Sequence, residues 1–179
     1  MIIATNVNKK FGRLQVLDNI SMSFNKGQTI ALIGPNGSGK TTFIKCLLGM
    51  VLPDSGFITI NNTNINHHWQ YRQHIGYMPQ MSRFPENMTI KQVIDMIKDI
   101  RAGSFQAMDE ELPEAFGLTA LYDKRMRTLS GGTRQKVSAC LAFLFNPDIL
   151  ILDEPTAGLD PVSSEILKEK IKAEKTNGK

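Results

Sequence analysis

The chain has 179 residues, 41% of them hydrophobic and 21% charged, enough to bury a core without disulfides or metals. That excludes a disordered polypeptide and a multidomain machine. Against 17 acidic residues stand 21 Lys and Arg, for a net charge of +4, scattered so that no basic stripe suited to nucleic acid is visible.

Short apolar runs bounded by Gly and Asn alternate with stretches of helical period. Residues 2–7, 20–24 and 29–33 read as strands, and residues 41–48 as a helix. Residues 57–60 form the next strand signal, the asparagine-rich stretch 61–66 suits a hairpin turn, and residues 75–78 read as a strand. Ile90, Val93, Ile94 and Ile97, spaced by three and four, predict a helix, as do residues 131–145. Residues 149–152 are a buried strand, and residues 161–175 a helix with proline in its first position. From about Met81 to Leu129 the period is helical, with no convincing strand between Met78 and Ile149, so a helical subdomain is inserted into the sheet layer. The plan is α/β, strand-rich at its N-terminal end.

Gly34-Pro35-Asn36-Gly37-Ser38-Gly39-Lys40-Thr41 matches GxxxxGK[ST] between an apolar strand and an apolar-patterned helix, the context the motif requires. Glycines let backbone N–H groups turn inward around phosphate oxygens, and the helix starting near Lys40 adds a positive dipole end. Lys40 would supply a point charge to the β- and γ-phosphates and the Thr41 hydroxyl a magnesium ligand, with Thr42 following. Asp153 and Glu154 end the aliphatic run of residues 149–152. Beside a phosphate loop, Asp153 is expected to hold Mg2+ and Glu154 to take a proton from attacking water; the alternative is a pair of solvated acids. Ser130, Gly131 and Gly132 open an apolar helix, with Ser130 as N-cap. This reads either as a second anion-binding helix end or as an ordinary capped helix.

Cys46 and Cys140 have no CxxC partner and no matching histidines, so neither a disulfide framework nor a zinc site is signalled, and a reducing cytosol is the simplest setting. His67, His68 and His74 read as solvated or structural, and the nine methionines as core filling. No apolar run approaches the roughly 18–20 residues needed to cross a bilayer. The first ten residues hold two lysines and no signal-peptide core, so the polypeptide reads as soluble, with any membrane role supplied by a partner.

Along the whole chain the sequence resembles the ABC transporter ATP-binding domains. The resemblance is carried by GPNGSGKTT, by Gln80 in Gly76-Tyr77-Met78-Pro79-Gln80, by the LSGG-type signature from Leu129 to Gln135, by Leu152-Asp153-Glu154-Pro155, and by the D-loop-like Ala157-Gly158-Leu159-Asp160. DEPTAGLDPV and the short helical segment are most similar to ATPases of ABC-2-type exporters. Arg83-Phe84-Pro85-Glu86-Asn87 with GTRQKV resembles the ATPase linked to copper-site maturation of nitrous oxide reductase.

The resemblance implies a P-loop NTPase fold with an N-terminal antiparallel β-subdomain and an inserted α-helical subdomain. It divides the chain into residues 1–80 (β and Walker A region), 81–145 (helical subdomain and signature helix) and 146–179 (Walker B, D-loop and last helix). It implies an ATPase using ATP and Mg2+, in a head-to-tail dimer where each nucleotide lies between the Walker A loop of one subunit and Ser130, Gly131, Gly132 and Gln135 of the other. Glu154, Gln80 and Lys40 would be catalytic, with Thr41, Gln80 and Asp153 around the metal. Phe11 would stack on adenine with Val16 nearby, unless it is a core aromatic. Residues 81–87 would face the coupling helix of a transmembrane permease, unless they are a plain surface loop. The expected location is cytoplasmic, on the inner face of the membrane, with no nucleic-acid partner. A soluble ABC ATPase outside transport and a non-hydrolysing nucleotide-binding fragment are the alternatives.

The chain departs from the family at its end. A strand carrying a histidine for the γ-phosphate normally follows the last helix, whereas here the helix stop Asn177-Gly178 is followed by Lys179, and all three histidines precede Gln80. That strand would run between the Walker A and Walker B strands, so its absence would cost both their ladder partners. The expectation is a truncated chain.

Overall fold

Antiparallel pairing of the N-terminal strands builds the first of two compact units, Met1–Arg72 with Lys175–Lys179; the second is Gln73–Glu174. The computed structural model describes residues 1–66, 68–103 and 108–179. His67 therefore lies outside the described residues. Residues 75–78 belong to the second unit because they pair with a strand much later in the chain.

In the first unit the strand order is β2-β1-β3-β4, with β1 Ile2–Phe11, β2 Leu14–Phe24, β3 Ser55–Ile60 and β4 Thr63–Asn64. Ile2, Ala4, Val7, Leu17, Ile58 and Ile60 face its core. β1 and β2 run further than residues 2–7 and 20–24 because their polar residues sit in the ladder, where apolar counting does not see them. Register shifts interrupt that ladder, and Asn6 and Asn19 adopt positive φ of 50° and 49°. Asn8 stitches the irregular stretch, donating from Nδ2 to the Asn6 carbonyl and accepting from the Asn19 amide. The asparagine loop does form a hairpin. Asn61 and Asn62 both have positive φ, as a two-residue type I′ connection demands, and β3 pairs with β4 through Ile60 and Thr63.

Residues 29–33 do not form the expected strand. They join none of the sheets among the described residues, and Ile30 and Ile33 are 45% and 92% exposed. Apolar composition favours a strand, but only a hydrogen-bonded neighbour makes one. Helix α1 (Lys40–Leu47) follows and buries Phe43, Ile44, Cys46 and Leu47.

In the second unit β5 (Ile75–Met78) and β6 (Ile149–Leu152) pair in parallel, Ile75 opposite Ile149 and Met78 opposite Leu152. With them go α2 (Ile90–Ile100), α3 (Glu111–Ala115), α4 (Gly131–Phe143) and α5 (Pro161–Thr176) up to Glu174, the last two residues of α5 being counted with the first unit. Thr89 and Gln92 close a capping box at the start of α2. Helix α4 stops short of residue 145, and Asn146 turns the chain with φ 48°. Past α5, Gly178 takes φ 84° and donates to the Lys175 carbonyl, the helix stop read from the sequence. The core gathers Met78, Ile90, Val93, Leu112, Leu118, Met126, Val137, Phe143 and Leu167. Met78 and Met126 thus fill the core, but Met50 and Met81 are exposed, so core filling does not account for every methionine. No helix among the described residues is long and apolar enough to cross a membrane.

Helix α4 packs directly against β5. A Cβ at Gly76 would lie 2.0 Å from the Ala142 carbonyl oxygen and 2.7 Å from Pro147 Cγ. Gly76→Ala should therefore destabilise the fold by about 2–3 kcal/mol, lowering Tm by roughly 5–10 °C in a thermal scan. An unchanged Tm would mean that the helix can back away from the strand.

Both cysteines are free and buried. Burial raises the thiol pKa of each, strongly for Cys140. Native protein at pH 8 is expected to resist iodoacetamide at both positions and to alkylate at both in guanidinium, as read by mass spectrometry. Rapid native labelling at either would contradict the packing around it.

Candidate functional site

The chemistry-bearing residues belong to both units. In the first, the Gly-rich loop turns into α1 through Gly39, whose φ of 90° places it in the left-handed region. A side chain there would bring Cβ within 2.6 Å of the Val16 carbonyl oxygen, so the end of the loop at Gly39 packs on β2. Val16 is therefore beside the loop by backbone packing. No side chain caps α1, which leaves the amides at its first turn for another acceptor. Lys40 Nζ donates to the carbonyls of Gly34 at 2.7 Å and Pro35 at 3.0 Å, arching over the loop. Asn36, Gly37, Ser38 and Thr41 are exposed and Thr42 half-buried.

Phe11 ends β1 opposite Leu14 and is 51% exposed, so it is not a core aromatic. The Lys9 ammonium lies 5.5 Å from its ring centroid and also binds Asp54 at 2.7 Å. That Lys9 contact, with the Lys10 amide, holds the Asp54 carboxyl below its usual range.

In the second unit, β6 delivers Asp153, half-buried, and then Glu154. The Asp153 amide donates to the Met78 carbonyl at 2.9 Å, extending the β5–β6 pairing past the strand. Burial, and next the charge of Asp153, raise the pKa of the Tyr77 hydroxyl. Glu154 has φ 51°, unfavourable for a residue with a side chain and of the kind found where function fixes the backbone. Gln80 Nε2 donates to Glu154 Oε2 at 2.8 Å, so two residues selected separately in the sequence are brought together. Thr41 in the first unit carries a hydroxyl and Asp153 in the second a carboxylate, each by its chemistry a hard oxygen donor of the kind Mg2+ takes.

Ser130 is the N-cap of α4, as read from the sequence: its Oγ accepts from the Thr133 amide at 3.2 Å. Gly131 is exposed and Gly132 half-buried. Gln135 departs from expectation. It is buried with the inner face of α4, and its Nε2 has no hydrogen-bond partner, so its side chain is not presented alongside Ser130. Helical geometry accounts for this, since Gln135 shares its face with Ser138, Ala139 and Ala142, three and four residues on and one turn further, all of them buried. His74 pairs with Asp148 at 3.0 Å through Nδ1, and His68 is exposed.

Three residues that stand in the quoted motifs without a role of their own shape this region. Arg134 donates to the Met126 and Arg127 carbonyls and braces the turn before α4. Lys136 pairs with Asp160 at 2.9 Å, joining α4 to the start of α5. In the sequence these contacts carry no signal beyond charge.

The ABC transporter family profile matches residues 17–157. The chain is 36% identical over 177 residues to the arginine transport ATP-binding protein ArtM of Bacillus subtilis, covering 94% of this chain and 72% of that protein. It is 32% identical over 177 residues to the Nod factor export ATP-binding protein I of Ralstonia nicotianae, covering 97% of this chain and 55% of that protein. The chain thus spans little more than half the length of that export protein. Among solved structures, a dimeric ATP-binding cassette in a post-hydrolysis state bound to ADP and Pi superposes with a TM-score of 0.85 at 25% identity, over 100% of this chain and 85% of that one. With the phosphate loop, the acidic strand end and the capped signature helix each in place within its unit, the chain belongs to the ABC transporter family, as an ATP-binding domain of the P-loop ATPase type.

Proposed function

We propose that this chain is the ATP-binding and ATP-hydrolysing part of a membrane ABC transporter, an exporter or maturation-type complex, driven by ATP-dependent head-to-tail dimerisation with a second copy or a related subunit. The observation that carries hydrolysis is Gln80 Nε2 on Glu154 Oε2 at 2.8 Å, a polar amide holding a carboxylate at the end of β6. In this reading the amides of residues 37–42 and the Lys40 ammonium bind the triphosphate. Phe11 supplies a stacking face for adenine. Thr41, Asp153 and Gln80 hold Mg2+, which when bound neutralises developing charge on the phosphate oxygens. Glu154 accepts the proton of the attacking water, Gln80 orients that water, and Ser130, Gly131 and Gly132 of the opposing copy close over the γ-phosphate.

Residues 81, 83 and 85–87 are exposed, which supports their use as the docking segment for a transmembrane permease. In this reading the protein sits on the cytoplasmic face of the membrane. The export direction rests on the DEPTAGLDPV sequence and the short helical segment. Co-purification of the natural protein with a multi-span membrane protein, and ATPase activity stimulated by that partner, test the proposal. A preparation that binds ATP but neither recruits a membrane partner nor hydrolyses would overturn it.

A further inference from the structure

We infer that Lys136 is a positioning residue: by pairing with Asp160 it locks the Ser130-capped end of α4 to the turn that leads into α5, so that the two move as one piece. The inference rests on the proposed role of Ser130, Gly131 and Gly132 in closing over a nucleotide held by another copy.

Three contacts within one unit converge here. Lys136 Nζ lies 2.9 Å from Asp160 Oδ2, and its side chain is only 20% exposed, with the Phe116 ring 5.9 Å from the ammonium. Asp160 is itself immobilised, its Oδ1 accepting from the Ser163 amide at 2.9 Å and its Oδ2 from the Ser163 hydroxyl at 2.7 Å. These bonds, and then Lys136, hold its carboxyl well below the ordinary range, so it stays charged. The backbones also touch: a Cβ at Gly132 would lie 2.7 Å from the Gly158 carbonyl oxygen.

An ordinary surface ion pair is weak because two flexible chains must both be ordered. Here the carboxylate is already fixed by its capping role, so only the lysine is ordered. The close Gly132–Gly158 approach leaves no slack for the turn to drift while α4 stays in place. Arg134 fixes the other side of the same helix end to the Met126 and Arg127 carbonyls. The signature end and the 157–159 turn are thereby given one fixed relation, although far apart in sequence.

The test uses the natural full-length protein carrying Glu154→Gln, with three further changes made singly. Lys136→Met keeps the stem and removes the charge, Lys136→Arg keeps the charge, and Asp160→Ser keeps an N-cap while removing the anion. Binding of mant-ATP by the monomer should stay within about twofold in all three. The ATP concentration needed for half-maximal dimerisation, read by analytical ultracentrifugation, should rise about tenfold for Lys136→Met and Asp160→Ser, stay near the parent for Lys136→Arg, and rise no further when Met and Ser are combined. Amide exchange should accelerate together at residues 131–134 and 157–159. Additive effects of the two changes, or acceleration in neither segment or only one, would overturn the inference. If the Glu154→Gln parent does not dimerise with ATP, the dimer reading falls by itself, and joint acceleration of exchange still supports the clamp while its absence overturns it.

Discussion

Lys40→Ala should weaken mant-ATP binding by at least about a hundredfold, a loss of roughly 3 kcal/mol. Two contributions add. The mutant loses a cation facing the triphosphate, where a charge-assisted hydrogen bond is about twice as strong as a neutral one. It also loses the brace that Lys40 Nζ forms across the loop to the Gly34 and Pro35 carbonyls, so the amides that remain are less preorganised. Lys40→Met separates the two only in part, since it restores the stem and not the donor, and it should bind almost as poorly. Fluorescence titration checks both, and unchanged affinity in Lys40→Ala would remove this loop from the nucleotide site.

Glu154→Gln should lower ATP turnover by roughly 10²- to 10⁴-fold and leave nucleotide binding nearly intact. The substitution is unusually clean here. Glu154 accepts from Gln80 Nε2, and a glutamine can accept the same bond through its amide oxygen. The left-handed backbone at φ 51° burdens glutamate and glutamine alike. What changes is the capacity to take a proton. Steady-state phosphate release, with mant-ATP binding as control, measures the separation, and ATP should accumulate in a dimer that size-exclusion chromatography resolves. Equal turnover in the two proteins would show that Glu154 is not the base.

The family was legible where its motifs are runs of neighbouring residues. The phosphate loop, the paired acids after β6 and the Ser130 cap are contiguous, so spacing alone displays them. Properties that depend on a distant partner were not legible. The Gln80–Glu154 contact joins strand ends whose pairing only the fold establishes. The Lys136–Asp160 pair looks like two ordinary surface charges until α4 and α5 are placed side by side. Residues 29–33 carry the composition of a strand, yet hydrogen bonding and not composition decides whether a ladder exists. Gln135 stands beside Ser130 in the line of the motif, whereas the helix turns by about 100° at each residue and carries it into the buried face.

The close seat of α4 on β5 has a mechanical consequence. At Gly76 the helix backbone meets the strand backbone without room for a methyl group, and β5 ends only two residues before Gln80. Contact of this kind behaves as a stiff linkage: protein interiors transmit strain because they are close-packed. A shift of α4 toward β5 would press directly on the strand that leads to Gln80. The glycine is thus the tooth at which the C-terminal end of α4 engages the strand that leads to Gln80.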